Sequence, residues 1–271
     1  MQGENALVMG MVVHETKESA RAVATRLEQA ARVRGIVALE AGPTGFPQEV
    51  SVVVGIGGDG TLLRAAGLAF GGDIPVIGVS LGKVGYLTDV APDAIELLLD
   101  RLVAGSLEVN RRMTVAAIAP DGRTFVGIND VVLEKVMTQR VVEIGVEINA
   151  RYFTTYRSDG IIVATPLGST AYSLSAGGPV VDPELDALIM TPVAPHSLLS
   201  RSIMLSPDAV VKLTVAGERP VRVNLDGREA FGLEEGEVAT IARGARPVRF
   251  LSLGCHPFPQ AVRHQFGLDH A

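Results

Sequence analysis

The chain has 271 residues, 47% of them hydrophobic and 20% charged, a balance that fits a globular protein with a buried core and excludes a disordered one. Its 24 basic and 30 acidic residues give a net charge of −6 without a basic block, so nucleic acid is not an expected partner. No run of about 18 apolar residues offers a membrane span, and MQGENALVMG lacks the basic region and long apolar run of a signal peptide. The single cysteine, Cys255, cannot form an internal disulfide, so a buried, inert thiol in a reducing cytoplasm is expected.

Residues 7–13 (LVMGMVV) read as a strand covered on both faces. Ala20, Val23, Ala24, Leu27 and Ala31 then fall at helical spacing, and Gly35 ends the helix. Residues 36–40 and the valine-rich 49–57 are strands, and a helix follows with Leu62, Ala65, Ala66 and Ala69 on one face. Another strand spans 74–80, and 91–105 form a helix with Ile95, Leu98, Leu99 and Leu102 inward. This alternation predicts an α/β domain with a parallel, Rossmann-like sheet.

After about Leu107 the texture changes. Asp121–Gly122 between apolar runs predicts a hairpin, and Val142, Ile144, Val146 and Ile148 alternate with polar or small residues. VVKLTVAGERPVRVNLDG and EVATIARGARPVRFLSL continue the pattern, as expected of an antiparallel, sandwich-like all-β domain. The boundary falls near residues 106–112, and a ligand cleft between the domains is the default expectation.

The stretch GIGGDGTLLRAA, residues 55–66, matches G-x-G-x-x-G by letter through Gly55, Gly57 and Gly60. Asp59 argues against a dinucleotide fingerprint, because a carboxylate directed into a nest of N–H groups repels pyrophosphate. It suits a loop whose glycines Gly57, Gly58 and Gly60 meet donor phosphates while Asp59 faces an acceptor hydroxyl or a metal. The plainer alternative is that Asp59 caps the following helix. Walker-type and protein-kinase motifs are absent.

In SDGIIVATPLGSTAYSLSAGGP, residues 158–179, GIIVAT is a strand broken by Pro166 and Gly168. Ser169 or Thr170 is expected to cap a short helix, Tyr172 offers a stacking face, and Ser169, Thr170, Ser173 and Ser175 supply neutral donors. Such a surface can cradle a dinucleotide without net positive charge.

GGDGT resembles the motif shared by NAD kinases, phosphofructokinases and lipid kinases. Residues 159–179 resemble the far more specific NAD kinase signature D-G-x-x-x-x-T-P-x-G-S-T-A-Y-x-x-S-A-G-G-P. Asn129–Asp130 in GINDVVLEK, GVSLGKVGYLTDV (78–90), TPVAPHSLLSR (191–201) and VNLDGR (223–228) resemble further elements of that family, in its order. The resemblance implies phosphorylation of NAD at its adenosine ribose 2′-hydroxyl, giving NADP, from ATP or polyphosphate with magnesium held mainly by the phosphates. It implies a homodimer or homotetramer, and a final segment that returns to the first domain. The domains are then 1–108 with about 248–271, carrying GGDGT, and 109–247, β-rich and NAD-binding.

The resemblance further implies that Asp59 accepts the 2′-hydroxyl proton, and that Gly57, Gly58, Gly60, Thr61 and Arg64 meet phosphate or nucleotide. For NAD it implies Asp59, Gly60, Asn129, Asp130, Arg140, Arg157, Asp159, Thr170, Ala171, Tyr172, Ser173, Leu174, Ser175 and Arg228. His196 is expected to be structural. The sequence departs from the family pattern at Ser80, usually asparagine, at Tyr86, usually phenylalanine, at Leu167, usually threonine or serine, and at Asp130, usually glutamate. None of these touches the proposed phosphoryl chemistry. A dehydrogenase would need a hydride-transfer constellation that is not apparent. A sugar or lipid kinase should lack TPxGSTAY, and a non-catalytic NAD(P) sensor should lack Asp59.

Overall fold

The structure, a computed structural model, describes residues 7–42, 45–82, 85–137, 139–254 and 258–268. Cys255 lies outside them. The chain divides into two compact units, residues 1–111 with 248–271, and residues 112–247.

The first unit opens with β1 (Val8–Val13), α1 (Glu18–Val33) and β2 (Val37–Glu40). It continues through β3 (Val52–Ile56), α2 (Asp59–Phe70) and β4 (Val76–Val79) to α3 (Ile95–Val103) and β5 (Glu108–Arg112). β1, β3 and β4 are apolar because they are covered on both faces, whereas β2 is partly exposed. Strands β2, β1, β3 and β4 pair in parallel. Gly35 ends the turn after α1 with φ +72. The helix expected over 91–105 begins as a 3-10 turn, Pro92–Ala94, with proline at its start, where a missing N–H costs no hydrogen bond. Ala20, Ala24, Leu27 and Ala31 are buried, as are Ile95, Leu98 and Leu99, while Val23 and Leu102 are only partly covered. On α2, Leu62, Ala65, Ala66 and Ala69 are buried as their spacing demands. The helix lies so close to the sheet that a Cβ on Gly55 would stand 3.1 Å from the Leu62 backbone.

The second unit begins with the hairpin β6 (Val115–Ile118) and β7 (Thr124–Gly127), turned at Asp121–Gly122. β8 (Asp130–Lys135), β9 (Val142–Ile148), β10 (Arg151–Ser158) and β11 (Gly160–Ala164) follow. A 3-10 turn (Leu167–Thr170) and the short α4 (Tyr172–Ser175) lead to β12 (Leu188–Val193) and β13 (Ile203–Leu205). β14 (Val211–Val215), β15 (Val221–Leu225), β16 (Arg228–Leu233) and β17 (Val238–Arg243) complete the unit. Among the described residues these strands form two six-stranded sheets, β10-β9-β14-β17-β6-β7 and β13-β12-β11-β8-β15-β16. Their pairings are antiparallel. Val115, Ile144 and Leu213 from one sheet share a buried cluster with Leu133, Val163 and Val223 from the other, so alternate residues form a sandwich core. The second sheet is also covered on its other face, where Val132, Ile162, Ala164 and Ile189 meet Val181. This double cover explains the unbroken apolar run GIIVA.

The chain then returns to the first unit as β18 (Val248–Ser252) and α5 (Phe258–Gln265). β18 lies between β4 and β5, giving a sheet order of β2-β1-β3-β4-β18-β5.

Candidate functional site

In the first unit, β3 delivers the chain into the glycine loop, and the Gly57 N–H still reaches the Val79 carbonyl of β4 at 2.9 Å. A Cβ on Gly57 would overlap the Thr61 side chain, whereas at Gly58 and Gly60 it would meet nothing within 4 Å. Gly57 is therefore required by internal packing, and Gly58 and Gly60 leave accessible backbone at the start of α2. Asp59 is the first residue of α2. The capping role considered above is not the one its carboxylate performs. Oδ2 accepts the Tyr86 N–H at 3.0 Å and Oδ1 the Leu87 N–H at 3.1 Å. Two donors on different oxygens fix both the plane and the direction of the carboxylate. Arg64 donates to the Val13 carbonyl at 3.0 Å and pairs with Glu15, so its guanidinium is anchored at the end of β1.

In the second unit, Asn129 and Asp130 stand where β8 begins, and both are buried. Asp226 organises them. It lies with Gly227 in the β15–β16 turn, both at positive φ (49 and 75), as a tight two-residue hairpin requires. Its carboxylate accepts the N–H groups of Ile128, Asn129 and Asp130. Burial, with the Asp226 charge as a second cause, pushes the Asp130 carboxyl up to about 7. Burial also raises Asp226, against the lowering effect of its three backbone donors and of Arg228. The Asn129 Oδ1 is buried and makes no hydrogen bond among the described residues.

The signature segment is tied to this turn. Thr165 N–H reaches the Asn129 carbonyl and its hydroxyl the Ile128 carbonyl, each at 2.8 Å. Gly168 lies so close to the Asn129 backbone that a Cβ would overlap it. The expected caps fail here. Ala171 stands at the N-cap of α4 without a side-chain bond. Ser169 instead turns inward, accepting the Val181 N–H and donating to the Val181 carbonyl, and Thr170 reaches back to Leu167. Ser173 is buried and continues into a hydroxyl chain, 3.1 Å to Thr191 and 2.9 Å from there to Ser202. Tyr172 is exposed, at 41% for the residue. Burial raises its hydroxyl pKa first, with Glu134, Asp159 and Asp130 adding to the rise and Lys135 opposing it.

Asp159 receives the Lys135 ammonium at 2.5 Å, and Lys135 N–H also binds the Asp159 carbonyl. Thr170, Ala171 and Leu174 are half-buried and Ser175 is exposed. Arg140, Arg157 and Arg228 are exposed, and Arg157 pairs with Glu143 at 3.3 Å. His196 contributes its backbone N–H to the Arg157 carbonyl. At the departures from the family pattern, Ser80 Oγ is buried without a hydrogen bond among the described residues, and Leu167 is buried. The organising roles of Asp226, Lys135 and Thr191 escaped the sequence reading. Only Asp226 carried a legible signal, as the first residue of an Asp–Gly turn.

A carboxylate fixed beside the open backbone of Gly58 and Gly60, in a parallel α/β unit joined to an antiparallel sandwich, fits a nucleotide-handling phosphotransferase better than a dehydrogenase. The comparisons make the class specific. The ATP-NAD kinase N-terminal domain family matches residues 8–107, and the ATP-NAD kinase C-terminal domain family matches residues 128–253. The chain is 37% identical to the NAD kinase of Geotalea daltonii over 223 residues, covering 80% of this chain and 78% of that one. It is 38% identical to NAD kinase 2 of Streptomyces avermitilis over 225 residues, covering 81% and 75%. An NAD kinase from Archaeoglobus fulgidus in complex with ATP superposes with a TM-score of 0.75 at 25% identity, over 96% of this chain and 98% of that one. Yeast NADH kinase complexed with NADH superposes at 0.86 and 18% identity, over 99% and 89%, a likeness of fold. The chain belongs to the NAD kinase family, whose activity is the phosphorylation of NAD to NADP.

Proposed function

We propose that this kinase transfers the γ-phosphoryl group of ATP, or a phosphoryl group of polyphosphate, to the adenosine ribose 2′-hydroxyl of NAD, with Asp59 as proton acceptor. The observation that carries the assignment is the Asp59 carboxylate, held by two N–H groups beside the open backbone of Gly58 and Gly60. A ribose hydroxyl is far too weak an acid to be ionised by a carboxylate in advance. Phosphoryl transfer is loose, so the proton leaves late, and the first task of Asp59 is to aim the hydroxyl in line with the phosphorus.

Gly58 and Gly60 offer open backbone to the donor phosphates, while Gly57, its N–H held by the Val79 carbonyl, and Thr61, its N–H held by the Gly58 carbonyl, shape the loop behind them. Arg64 joins them by exchanging Glu15 for phosphate. Asn129, whose Oδ1 has no hydrogen-bond partner among the described residues, and Asp130 take the ribose and nicotinamide parts of the dinucleotide. Thr170, Ala171, Tyr172, Ser173, Leu174 and Ser175 form the adenine and ribose wall, with Asp159 as a further polar contact and Arg140, Arg157 and Arg228 at its margin. Magnesium would be held mainly by the triphosphate and would neutralise part of its charge. Among the described residues no group of three or more acidic, histidine or cysteine side chains is placed to hold that ion, so the phosphates themselves would carry it. We further propose a homodimer or homotetramer working in the cytoplasm. Among the described residues no helix is long and apolar enough to cross a membrane.

Incubation of the purified protein with NAD, ATP and magnesium is expected to yield NADP, read by an NADP-specific dehydrogenase. No product with either ATP or polyphosphate, across several divalent metals, defeats the proposal.

A further inference from the structure

A carboxylate at the start of a helix is held either by the helix's own free N–H groups or by donors outside it. For Asp59 the holders are the backbone N–H groups of Tyr86 and Leu87, so the placement of residues 85–88 sets the direction of the carboxylate. Gly85 is packed against it closely enough that a Cβ would overlap Asp59 Oδ1. Within the turn, Thr88 is buried and its Oγ1 accepts the Gly85 N–H at 2.8 Å. Beyond it, Val90 bridges to Val79 of β4.

Asp89 lies between these anchors, and its carboxylate is committed to neither the turn nor a helix. Oδ2 accepts the Ser252 hydroxyl at 2.6 Å and the Leu253 N–H at 2.7 Å. Ser252 Oγ in turn accepts the Gly254 N–H at 2.8 Å. The grip joins residues 163 apart in sequence, and all of them belong to the first unit. The pairing of β18 with β4 is recorded at Phe250–Val76, upstream of the grip, so Asp89 adds a separate tie just past that ladder.

We infer that Asp89 is a positioning residue for the phosphoryl transfer: by gripping Ser252 and Leu253 it fixes the turn whose N–H groups aim the Asp59 carboxylate. This rests on the assignment of Asp59 as proton acceptor. On this reading Asp89 acts through the turn and not on the substrate. Its loss lets the turn drift and the acceptor point away from the line of transfer, and misplacement on the scale of 1 Å costs up to about a hundredfold in rate.

The test is a double-mutant cycle of Asp59→Asn and Asp89→Ala, with kcat measured at saturating NAD and ATP by an amplified NADP assay. Alone, Asp89→Ala is expected to lower kcat about tenfold while KM for NAD stays within about twofold. Asp89→Asn keeps a carbonyl oxygen that accepts both donors, and is expected to stay within about twofold of the parent kcat. On the Asp59→Asn background, Asp89→Ala is expected to cost nothing more, because the group it aims has already gone. A role confined to stability would lower activity by the same factor on both backgrounds, and that result overturns the inference, as does an unchanged kcat in Asp89→Ala. Full turnover by Asp59→Asn alone is a different failure, and it removes the assignment beneath the inference. If Asp89→Ala does not fold, Ser252→Ala deletes one of the two donors and enters the same cycle. It is expected to give a smaller kcat loss that also disappears on the Asp59→Asn background, and persistence of that loss there overturns the inference.

Discussion

Asp59 opens helix α2 and Asp130 opens strand β8, and their surroundings give the two carboxylates opposite tasks. Asp59 is half-exposed and held by two backbone donors, an arrangement suited to a group that must be correctly aimed. Asp59→Asn keeps the shape but removes the proton acceptor. It is expected to bind NAD with near-parental affinity by calorimetry while kcat falls by roughly a hundredfold or more, and near-normal turnover would remove it from the mechanism. Asp130 is buried beside Asp226, with its carboxyl pushed up to about 7 from the ordinary value of 3.8. Between those values the folded protein holds a proton that the unfolded chain releases, so this group makes stability fall as pH rises from about 4 to about 7. Urea unfolding at pH 5 and pH 8 is therefore expected to show Asp130→Asn losing part of the alkaline decline, by roughly 2 kcal/mol. An identical pH dependence in the two proteins would contradict this.

At the scale of elements, the signature loop is held from inside. α4 is a single turn without a side-chain cap, too short to persist through its own hydrogen bonds. Its Ser173 is tied through Thr191 on β12 to Ser202. Thr191→Val preserves shape and removes both links. It is expected to raise KM for NAD several-fold with a lesser change in kcat, and to cost about 1 to 2 kcal/mol in thermal stability. Thr191→Ser should restore both, and an unchanged KM in Thr191→Val would show that the hydroxyl chain does not support the wall. Elements of this kind mark what the sequence discloses. Periodicity exposed the buried faces of α1, α2 and β9, and Asp121–Gly122 exposed its hairpin, because these signals are local. The β9–β10 turn was not legible, since Ala150 carries no turn signature and still adopts φ +61 beside Asn149 at +51. Ser169 and Thr170 were misread as caps because sequence cannot show that a partner such as Val181 competes for the hydroxyl. The candidate residues themselves were named from the family motif. Their supports, Asp226 on Ile128 and Asp89 on Ser252, join distant segments, and no local pattern records such pairs.

For the whole molecule, the decisive feature is that one unit is continuous in sequence and the other is not. The second unit has its own sandwich core within residues 112–247. Expressed alone, that segment is expected to give a β-type circular dichroism spectrum and one cooperative melt. Truncation of the full chain after residue 247 removes β18 from between β4 and β5 and is expected to abolish both the cooperative unfolding of the first unit and NADP formation. A truncated chain that still melts cooperatively and turns over would refute this reading of the sheet.

The interrupted sheet also bears on how the protein is made. A ribosome adding about 5 to 20 residues per second needs roughly 7 to 27 seconds to pass from β5 to β18. During that interval the second unit can emerge and close, while the first waits with a strand-wide vacancy beside β4. Exposed edges of valine-rich parallel strands invite pairing with other nascent chains. The early part of this chain is thus born dependent on its last stretch, and the interval before β18 arrives is when chaperone cover matters most.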